Sequence, residues 1–305
     1  MEYLIIGAGG TGGSIGGYLA QSGRAVTLVE QPGEHLWALQ QKGLTIRRFG
    51  GGDYVLPHIR ALSAEEYSGR ADVIIVCVKG YSLPAVVPLL QRAAGPDTVV
   101  IPILNIYGTG AKLAAQLPGL NITDGCMYIA AEISAPGEIL HRGDIFRVIF
   151  GSREPAGRLP VFDDIVSDLR AAGIDAAAAA DIRSAALHKY ALVSAMAAAG
   201  AFFDVAAGAF QRPGEVRELY VALIREIMAL AVAMEVWLRE DLIEDILAIT
   251  DALAPEMTTS MQKDIKKGGE SEIDGLVFEP VLLGRRFGVA TPQYERVARA
   301  LGYKD

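Results

Sequence analysis

A glycine motif near the N-terminus constrains the fold of this chain more than any other feature. A G-x-G-x-x-G pattern directly follows the apolar run Tyr3–Ile6, and an amphipathic stretch follows the pattern. In this context the first glycine permits a tight turn, the second lets a pyrophosphate approach the backbone, and the third lets the helix pack closely on the strand. The sequence therefore predicts a strand–loop–helix unit that binds a dinucleotide through Gly7, Gly9, Gly10, Thr11 and Gly12.

The first half of the chain alternates short β-branched runs with amphipathic stretches, which is typical of βαβ units around a parallel sheet. Four parallel strands are predicted, at Tyr3–Ile6, Ala25–Glu30, Val73–Val78 and Thr98–Leu104. A run of three glycines between Leu44–Phe49 and Tyr54–Ile59 predicts a hairpin inserted into this winding. Alternating polar and apolar residues around two turns predict antiparallel additions to the same sheet, at Cys126–Ile133, Glu138–His141 and Phe146–Phe150.

Strand signals nearly vanish after the alanine run Ala176–Ala180. The periodicity beyond this run predicts helices at Ile182–Met196, Glu215–Val236, Leu238–Leu253 and Ser260–Ile265. We therefore predict an α/β protein with an N-terminal Rossmann-type doubly wound sheet over residues 1–180 and a C-terminal all-α domain over residues 181–305. The length of 305 residues agrees with two domains.

Charge and cysteine content argue against several classes of protein. A formal net charge of −8 and an isoelectric point near 5.2 provide no basic surface for nucleic acid or anionic lipid. The chain has only two cysteines, and Cys77 lies in a run with the pattern of a buried strand, so no disulfide is predicted. The cysteine usage therefore favours a reduced, cytoplasmic protein. His35, His58 and His141 lack metal-ligand spacing, so no metal is expected.

One apolar segment, Ala191–Phe210, is long enough to span a bilayer. Most of its residues are alanine or glycine, which drive membrane insertion weakly, and Asp204 would be costly at that depth. A buried helix or helix pair is therefore predicted here, and no membrane partner is expected.

The end of the second predicted strand bears on the choice of dinucleotide. Glu30 lies at the usual distance from the glycines, where a carboxylate can bond both ribose hydroxyls. A 2′-phosphate would instead meet a like charge at this position. Glu30 and Gln31 therefore favour NAD(H) over NADP(H), and a solvated glutamate at a strand end remains the alternative.

Three further segments carry a resemblance that covers essentially the whole chain. They are Val76-Cys77-Val78-Lys79 at the end of the third winding strand, Asn105 after the next strand, and Lys189 with Ser260-Met261-Gln262-Lys263-Asp264-Ile265 and Glu272-Ile273-Asp274. Together with the glycine loop, they make the chain resemble the ketopantoate reductase family, the 2-dehydropantoate 2-reductases. The last group is the most specific, because its residue types and spacing rarely coincide in unrelated chains.

The resemblance implies that a nicotinamide hydride reduces the ketone of a 2-oxo acid, 2-dehydropantoate, in pantothenate biosynthesis. In the family, the lysine matching Lys189 acts on the substrate ketone, which suits a cation that stabilises charge on oxygen and delivers a proton. The glutamate matching Glu272 helps to position the substrate and the lysine. The resemblance also implies substrate binding at Ser260, nicotinamide and substrate contacts at Asn105, and a contact with the adenosine side of the cofactor at Lys79.

The chain departs from the family pattern on the predicted helix of Lys189. Family members commonly carry asparagines four and eight residues after the lysine, where this chain has Val193 and Ala197. Their loss should weaken recognition of a polyhydroxylated substrate, since a hydroxyl buried without a partner costs about 1–3 kcal/mol. Two alternatives therefore stay open: an NAD-dependent D-2-hydroxy acid dehydrogenase for a bulky apolar 2-oxo acid, and a non-catalytic dinucleotide-sensing protein.

Three smaller features complete the sequence-based expectations. The loop after Asn105 reads Asn-Ile-Tyr-Gly, whereas the family usually has Asn-Gly-x-Gly, and we expect Tyr107 to narrow or reshape the site. Lys79 could still support NADP(H), against the preference at Glu30. His188 is predicted to be structural or exposed, because consecutive helical residues do not face each other. The sequence leaves the oligomeric state open, with a homodimer as one alternative.

Overall fold

The computed structural model describes residues 1–154 and 157–304, which divide into two units. The N-terminal unit comprises Met1–Leu104 and Gly108–Ile182, and the C-terminal unit comprises the described residues from Arg183 onward. The short segment Asn105–Tyr107 belongs to the C-terminal unit by its contacts. The chain therefore leaves the N-terminal unit after Leu104 and returns to it at Gly108, which the sequence did not predict.

The described part of the N-terminal unit contains strands that form two sheets. These are β1 (Glu2–Ile6), β2 (Ala25–Val29), β3 (Leu44–Arg47), β4 (Tyr54–Leu56), β5 (Arg60–Leu62), β6 (Val73–Val76), β7 (Val99–Pro102), β8 (Asn121–Ile122), β9 (Asp124–Ala135), β10 (Glu138–Gly151) and β11 (Asp175–Ala178). The first sheet has the order β5-β2-β1-β6-β7-β8, and all its pairings are parallel. The order reverses direction between β1 and β6, and ligands of doubly wound sheets bind at the carboxyl ends of such a strand pair.

The predicted additions to the first sheet lie in a second sheet, so that part of the prediction is wrong. The order of this sheet is β11-β10-β3-β4. In addition, β9 pairs with β10 in antiparallel orientation. The predicted turn at Gly143-Asp144 is a register irregularity within the single long strand β10. Part of the alanine run Ala176–Ala180 forms the edge strand β11. Alternation correctly indicated half-buried strands, but it carries no information about their partners.

The described residues of the N-terminal unit form five α-helices, which pack on the sheets: α1 (Gly10–Gln21), α2 (Glu34–Lys42), α3 (Leu83–Ala93), α4 (Thr109–Gln116) and α5 (Val161–Ala171). Helix α1 contacts strands of both sheets, including β1, β2, β3 and β9. Its buried residues Ile15 and Leu19 belong to the core cluster that joins the two sheets. This packing fixes the start of α1, and with it the glycine loop, at the carboxyl end of β1.

The C-terminal unit is helical in its described part, as predicted. Its elements are α6 (Ile182–Phe203), α7 (Glu215–Ala233), α8 (Leu242–Asp251), α9 (Ser260–Lys266), a π-helix (Asp274–Phe278), α10 (Glu279–Phe287) and α11 (Pro292–Ala300). Residues of α6, α7 and the last three helical elements share one buried apolar core. The sequence did not predict the elements after α9.

Helix α6 is the one described helix that is long and apolar enough to cross a membrane by length and composition alone. In its most apolar window 56% of the residues are buried within the protein. The core helix of a soluble protein passes the same test, so this observation is weak evidence for a membrane span.

Candidate active site

The glycine loop lies at the switch point of the parallel sheet. Gly7 has a φ of +91°, which a glycine adopts readily, and its N–H donates to the Val29 carbonyl at 2.8 Å. Helix α1 begins at Gly10, and no side chain caps its first turn. The N–H groups at a helix N-terminus favour an anionic ligand, so the first turn, including Thr11, is suited to a phosphate group.

Gly9 and Gly12 differ in what surrounds them. A Cβ built on Gly12 would lie 2.0 Å from the Gly7 carbonyl oxygen, so the packing of the loop itself requires glycine there. A Cβ on Gly10 would lie 2.6 Å from the Ala131 carbonyl oxygen of β9. By contrast, a Cβ on Gly9 would meet no atom within 4 Å. The open space at Gly9 is therefore where this loop can admit a ligand, which fits a dinucleotide pyrophosphate.

The peptide group of Ala8, inside the glycine loop, is held from both sides. Its N–H donates to Glu30 Oε2 at 2.7 Å, and its carbonyl lies 3.0 Å from His35 Nε2. His35 Nδ1 accepts a hydrogen bond from the Gly137 N–H at 3.1 Å, so Nε2 carries the proton that it donates to Ala8. Glu30 thus lies directly beside the loop. The contact of His35 with the glycine loop was not predicted, because the position of His35 after β2 is its only signal in the sequence.

Lys79 follows β6, the strand that pairs with β1 at the switch point. It precedes a 3₁₀ turn at Gly80–Ser82, and its carbonyl accepts the Ser82 N–H at 2.9 Å. Cys77, two residues earlier, is a free cysteine, and burial raises the pKa of its thiol well above the ordinary value. Cys77 packs against the glycine loop, since a Cβ built on Gly12 would lie 2.9 Å from Cys77 Cβ.

A second group of predicted residues comes together within the C-terminal unit. Lys189 Nζ lies 3.5 Å from Asn105 Oδ1, although the two residues are 84 positions apart in the chain. The distance is at the outer limit of a hydrogen bond, which is common for catalytic contacts in structures without ligands. Lys189 is half-buried on α6, and Asn105 lies in the short segment Asn105–Tyr107 that belongs to the same unit. The pair provides a proton donor whose direction an amide oxygen can set.

Glu272 and Ser260 occupy different environments in the same unit. Glu272 is only 4% exposed, and its carbonyl accepts the Leu276 N–H of the following π-helix at 2.9 Å. Ser260 is exposed at the first residue of α9, and the N-cap is Thr259, with Gln262 completing a capping box. Gln262 also binds the Gly200 carbonyl at 2.9 Å. Helix α9 therefore contacts α6 eleven residues beyond Lys189, about 16 Å along the helix axis.

Between these two ends, α6 presents an apolar stripe next to Lys189. Val193 and Met196, four and seven residues on, are both half-buried and share the face of Lys189. Ala197 is fully buried in the core of the unit. Val193 and Met196 are thus two apolar side chains on α6 near Lys189 that remain partly exposed. The sequence analysis named Val193 and missed Met196.

His188 does not take part in this group. Its Nε2 lies 3.1 Å from Asp245 Oδ2 of α8. Burial lowers the pKa of His188 below its ordinary value, and Asp245 offsets part of that effect. His188 therefore has a structural partner on another helix, which agrees with the prediction. Within the described residues, no group of three or more His, Cys, Asp and Glu side chains could hold a metal ion.

The fold and the loop together define the class of this protein. A doubly wound parallel sheet, with an open glycine loop at its switch point and a carboxylate beside that loop, is the site of a nicotinamide-dinucleotide-dependent oxidoreductase. The chain belongs to the ketopantoate reductase family. The family model "Ketopantoate reductase PanE/ApbA" matches residues 3–155, and "Ketopantoate reductase PanE/ApbA C terminal" matches residues 181–305.

Similar proteins match the chain over almost its full length. "Uncharacterized oxidoreductase YkpB" of Bacillus subtilis is 29% identical over 97% of this chain and 96% of that protein. The crystal structure of 2-dehydropantoate 2-reductase from Methylococcus capsulatus has 28% identity and a TM-score of 0.87, and the match covers 99% of this chain and 96% of that one. These matches confirm the predicted family, fold class and oxidoreductase class.

A further solved structure is that of D-mandelate dehydrogenase with NADH and anilino(oxo)acetate. It has a TM-score of 0.90 and covers 99% of this chain and 97% of that one, with 22% identity. Identity at this level shows a shared fold.

Proposed function

We propose that this enzyme reduces the ketone of a 2-oxo acid to a 2-hydroxy acid, with 2-dehydropantoate as the first candidate substrate. The observation that carries the proposal is the 3.5 Å contact between Lys189 Nζ and Asn105 Oδ1. It gives the site a cationic proton donor, which the developing charge on a ketone oxygen needs. The full-length similarity to a 2-dehydropantoate 2-reductase supports the named substrate. Lys189 and the buried Glu272 argue against the non-catalytic alternative.

Different residues would serve the cofactor and the substrate. A bound nicotinamide would supply the hydride; Gly9, the first turn of α1 and Glu30 are the groups that would hold the dinucleotide. Lys189 holds its protons at Nζ, and Asn105 Oδ1 can accept one of them, which leaves two donors for the ketone oxygen. Lys189 then stabilises the negative charge that develops there and delivers the proton. Glu272 would position the lysine and the substrate.

The apolar stripe on α6 favours a second candidate substrate, a 2-oxo acid with a bulky apolar side chain. Val193 and Met196 offer methyl and thioether groups where a polyhydroxylated substrate would need hydrogen-bond partners. The shared fold with a dehydrogenase that was solved with anilino(oxo)acetate is consistent with this candidate. The ratio of kcat/KM for 2-dehydropantoate to that for branched and aromatic 2-oxo acids distinguishes the two candidates.

A substitution at Val193 tests whether the stripe sets this ratio. Val193→Asn is expected to shift the kcat/KM ratio toward 2-dehydropantoate by about tenfold or more, because the amide offers the hydroxyls a partner. Val216→Asn is the matched control, since Val216 is also half-buried on a helix of the same unit but lies on α7. If both variants leave the ratio unchanged, Val193 does not line the substrate site.

We infer from the position of Glu30 that NADH is the preferred cofactor. Its carboxylate accepts the Ala8 N–H and lies where a 2′-phosphate would be repelled. Glu30→Gln keeps an oxygen for Ala8 but removes the charge, so NADH binding should weaken about tenfold or more while NADPH binding does not weaken. Glu34→Gln, an exposed glutamate in the first turn of α2, is the control. A wild-type preference for NADPH in fluorescence titrations would contradict the inference.

We propose a cytoplasmic setting for this enzyme. The net charge of −8 and the largely buried α6 support a cytoplasmic enzyme that acts on a small molecule without a nucleic acid or membrane partner. A homodimer remains a prediction, which sedimentation equilibrium of the purified protein can test.

A further inference from the structure

The helix after Glu272 changes its hydrogen-bond pattern next to α6. Residues Asp274–Phe278 form a π-helix, in which the Glu279 N–H donates to the Asp274 carbonyl five residues earlier. The next residue is Pro280, which has no N–H. Pro280 therefore cannot supply the π-type bond to the Gly275 carbonyl or the α-type bond to the Leu276 carbonyl. Single-turn π-helices of this kind occur frequently at functional sites.

Two hydroxyl groups of α6 bind these two carbonyls. The Tyr190 hydroxyl donates to the Gly275 carbonyl at 2.7 Å, and Ser194 Oγ donates to the Leu276 carbonyl at 2.6 Å. Tyr190 is 1% exposed and Ser194 is fully buried. Burial raises the pKa of Tyr190 well above its ordinary value, so its hydroxyl keeps its proton. A buried carbonyl without a donor is costly, and these two bonds therefore hold α6 firmly against the π-helix.

The bonded positions also determine which way Lys189 points. Tyr190 and Ser194 are four residues apart and share one face of α6, so the two bonds fix the rotation of the helix about its axis. Lys189 directly precedes Tyr190, and its direction follows from that rotation. The hydroxyl of Tyr294 on α11 lies 2.7 Å from Ser194 Oγ and adds a third hydrogen bond at this contact between α6 and the π-helix.

The segment that carries Asn105 packs against the same part of α6 and the π-helix. The rings of Tyr107 and Tyr190 lie 6.0 Å apart between centroids. A Cβ on Gly275 would lie 2.3 Å from Ile106 Cδ1 and 2.6 Å from Ile106 Cγ1, so glycine allows this segment to approach the π-helix closely. One junction of α6, the π-helix and residues 105–107 therefore sets the positions of both Lys189 and Asn105.

We propose that Tyr190 and Ser194 are positioning residues, which hold Lys189 and Asn105 at their contact by binding the two carbonyls that residue 280, a proline, has no N–H to bind. The inference rests on the proposed role of Lys189. The two residues touch neither substrate nor cofactor in this scheme and act through the geometry of the lysine and the asparagine.

The test compares Tyr190→Phe with Tyr220→Phe. Tyr220 is also fully buried in this unit, and its hydroxyl lies 3.0 Å from Thr250 Oγ1, away from the junction. Each change removes one buried hydroxyl, so both should lower Tm by a similar amount, about 2–4 °C. Tyr190→Phe should also lower kcat by about 10- to 100-fold with unchanged dinucleotide affinity, because a displaced catalytic group loses rate. Tyr220→Phe should keep the wild-type kcat.

The pH dependence of kcat provides a readout that a loss of stability would not move. The proton donor sets the alkaline limb of the profile, so Tyr190→Phe should shift that limb and Tyr220→Phe should not. Ser194→Ala should shift it in the same way, and it carries the test if Tyr190→Phe does not fold.

Lys189→Ala, measured in the same assays, separates the two proposals. If that variant is inactive while Tyr190→Phe and Ser194→Ala keep the wild-type kcat and pH profile, the positioning role is overturned and the proposed function stands. If Lys189→Ala keeps its activity, the role of Lys189 as proton donor fails, and the positioning role fails with it. A wild-type protein that binds the dinucleotide but turns over no 2-oxo acid would contradict the proposed function itself.

Discussion

Replacing Lys189 with alanine is expected to lower kcat by about 10²–10⁴-fold, the range that a positioned proton donor contributes. The lysine lies within 3.5 Å of Asn105 in the helical unit, whereas the glycine loop belongs to the N-terminal unit. Dinucleotide affinity should therefore stay close to that of the wild type. Alanine also favours a helix, so α6 should remain intact. Oxidation of the reduced nicotinamide, followed by absorbance, gives kcat, and fluorescence titration gives the affinity.

The matched control for this prediction is Lys266→Ala. Lys266 is an exposed lysine of the same unit, and its ammonium lies 3.1 Å from Asp204. An exposed ion pair contributes little to stability, so this variant should keep both activity and fold. A Lys189→Ala enzyme with normal turnover would remove Lys189 from the mechanism.

Two alanine substitutions in the glycine loop should affect different properties, dinucleotide binding in one case and stability in the other. Gly9→Ala places a methyl group in open space, so the ligand-free protein should keep its Tm, but the pyrophosphate would meet that methyl. We expect dinucleotide binding to weaken by about 10- to 100-fold, the equivalent of an overpacking cost. Gly12→Ala places the methyl 2.0 Å from the Gly7 carbonyl oxygen and should lower the free energy of unfolding by about 1–3 kcal/mol or more.

Thermal unfolding without ligand, followed by titration with NADH, measures both effects. The informative result is the separation: a loss of affinity with normal stability for Gly9→Ala, and a loss of stability for Gly12→Ala. Normal NADH binding by Gly9→Ala would show that the open space at Gly9 does not receive the pyrophosphate.

How well a feature could be predicted from the sequence depended on how far apart in the chain the residues that form it lie. The strand–loop–helix unit of the glycine motif is local, since turn geometry and hydrophobic periodicity act within about twenty residues. Glu30 beside the loop was also predictable, because β2 follows α1 directly. The second sheet was not, because β10 pairs with β3, about a hundred residues earlier, and with β11, which follows a helix. Alternation shows that a strand has a buried face, but its pairing depends on the whole core.

The sequence by itself determined the local elements, the loop that can admit a dinucleotide and, through residue types at fixed spacing, the family of this enzyme. Only the tertiary structure decided that Asn105 reaches Lys189, that Met196 extends an apolar stripe, and that Tyr190 and Ser194 bind the π-helix. Backbone preferences and hydrophobic periodicity depend on neighbouring residues, so they can be predicted from the sequence. Which distant side chains meet is settled by packing and by the need of buried carbonyls for donors.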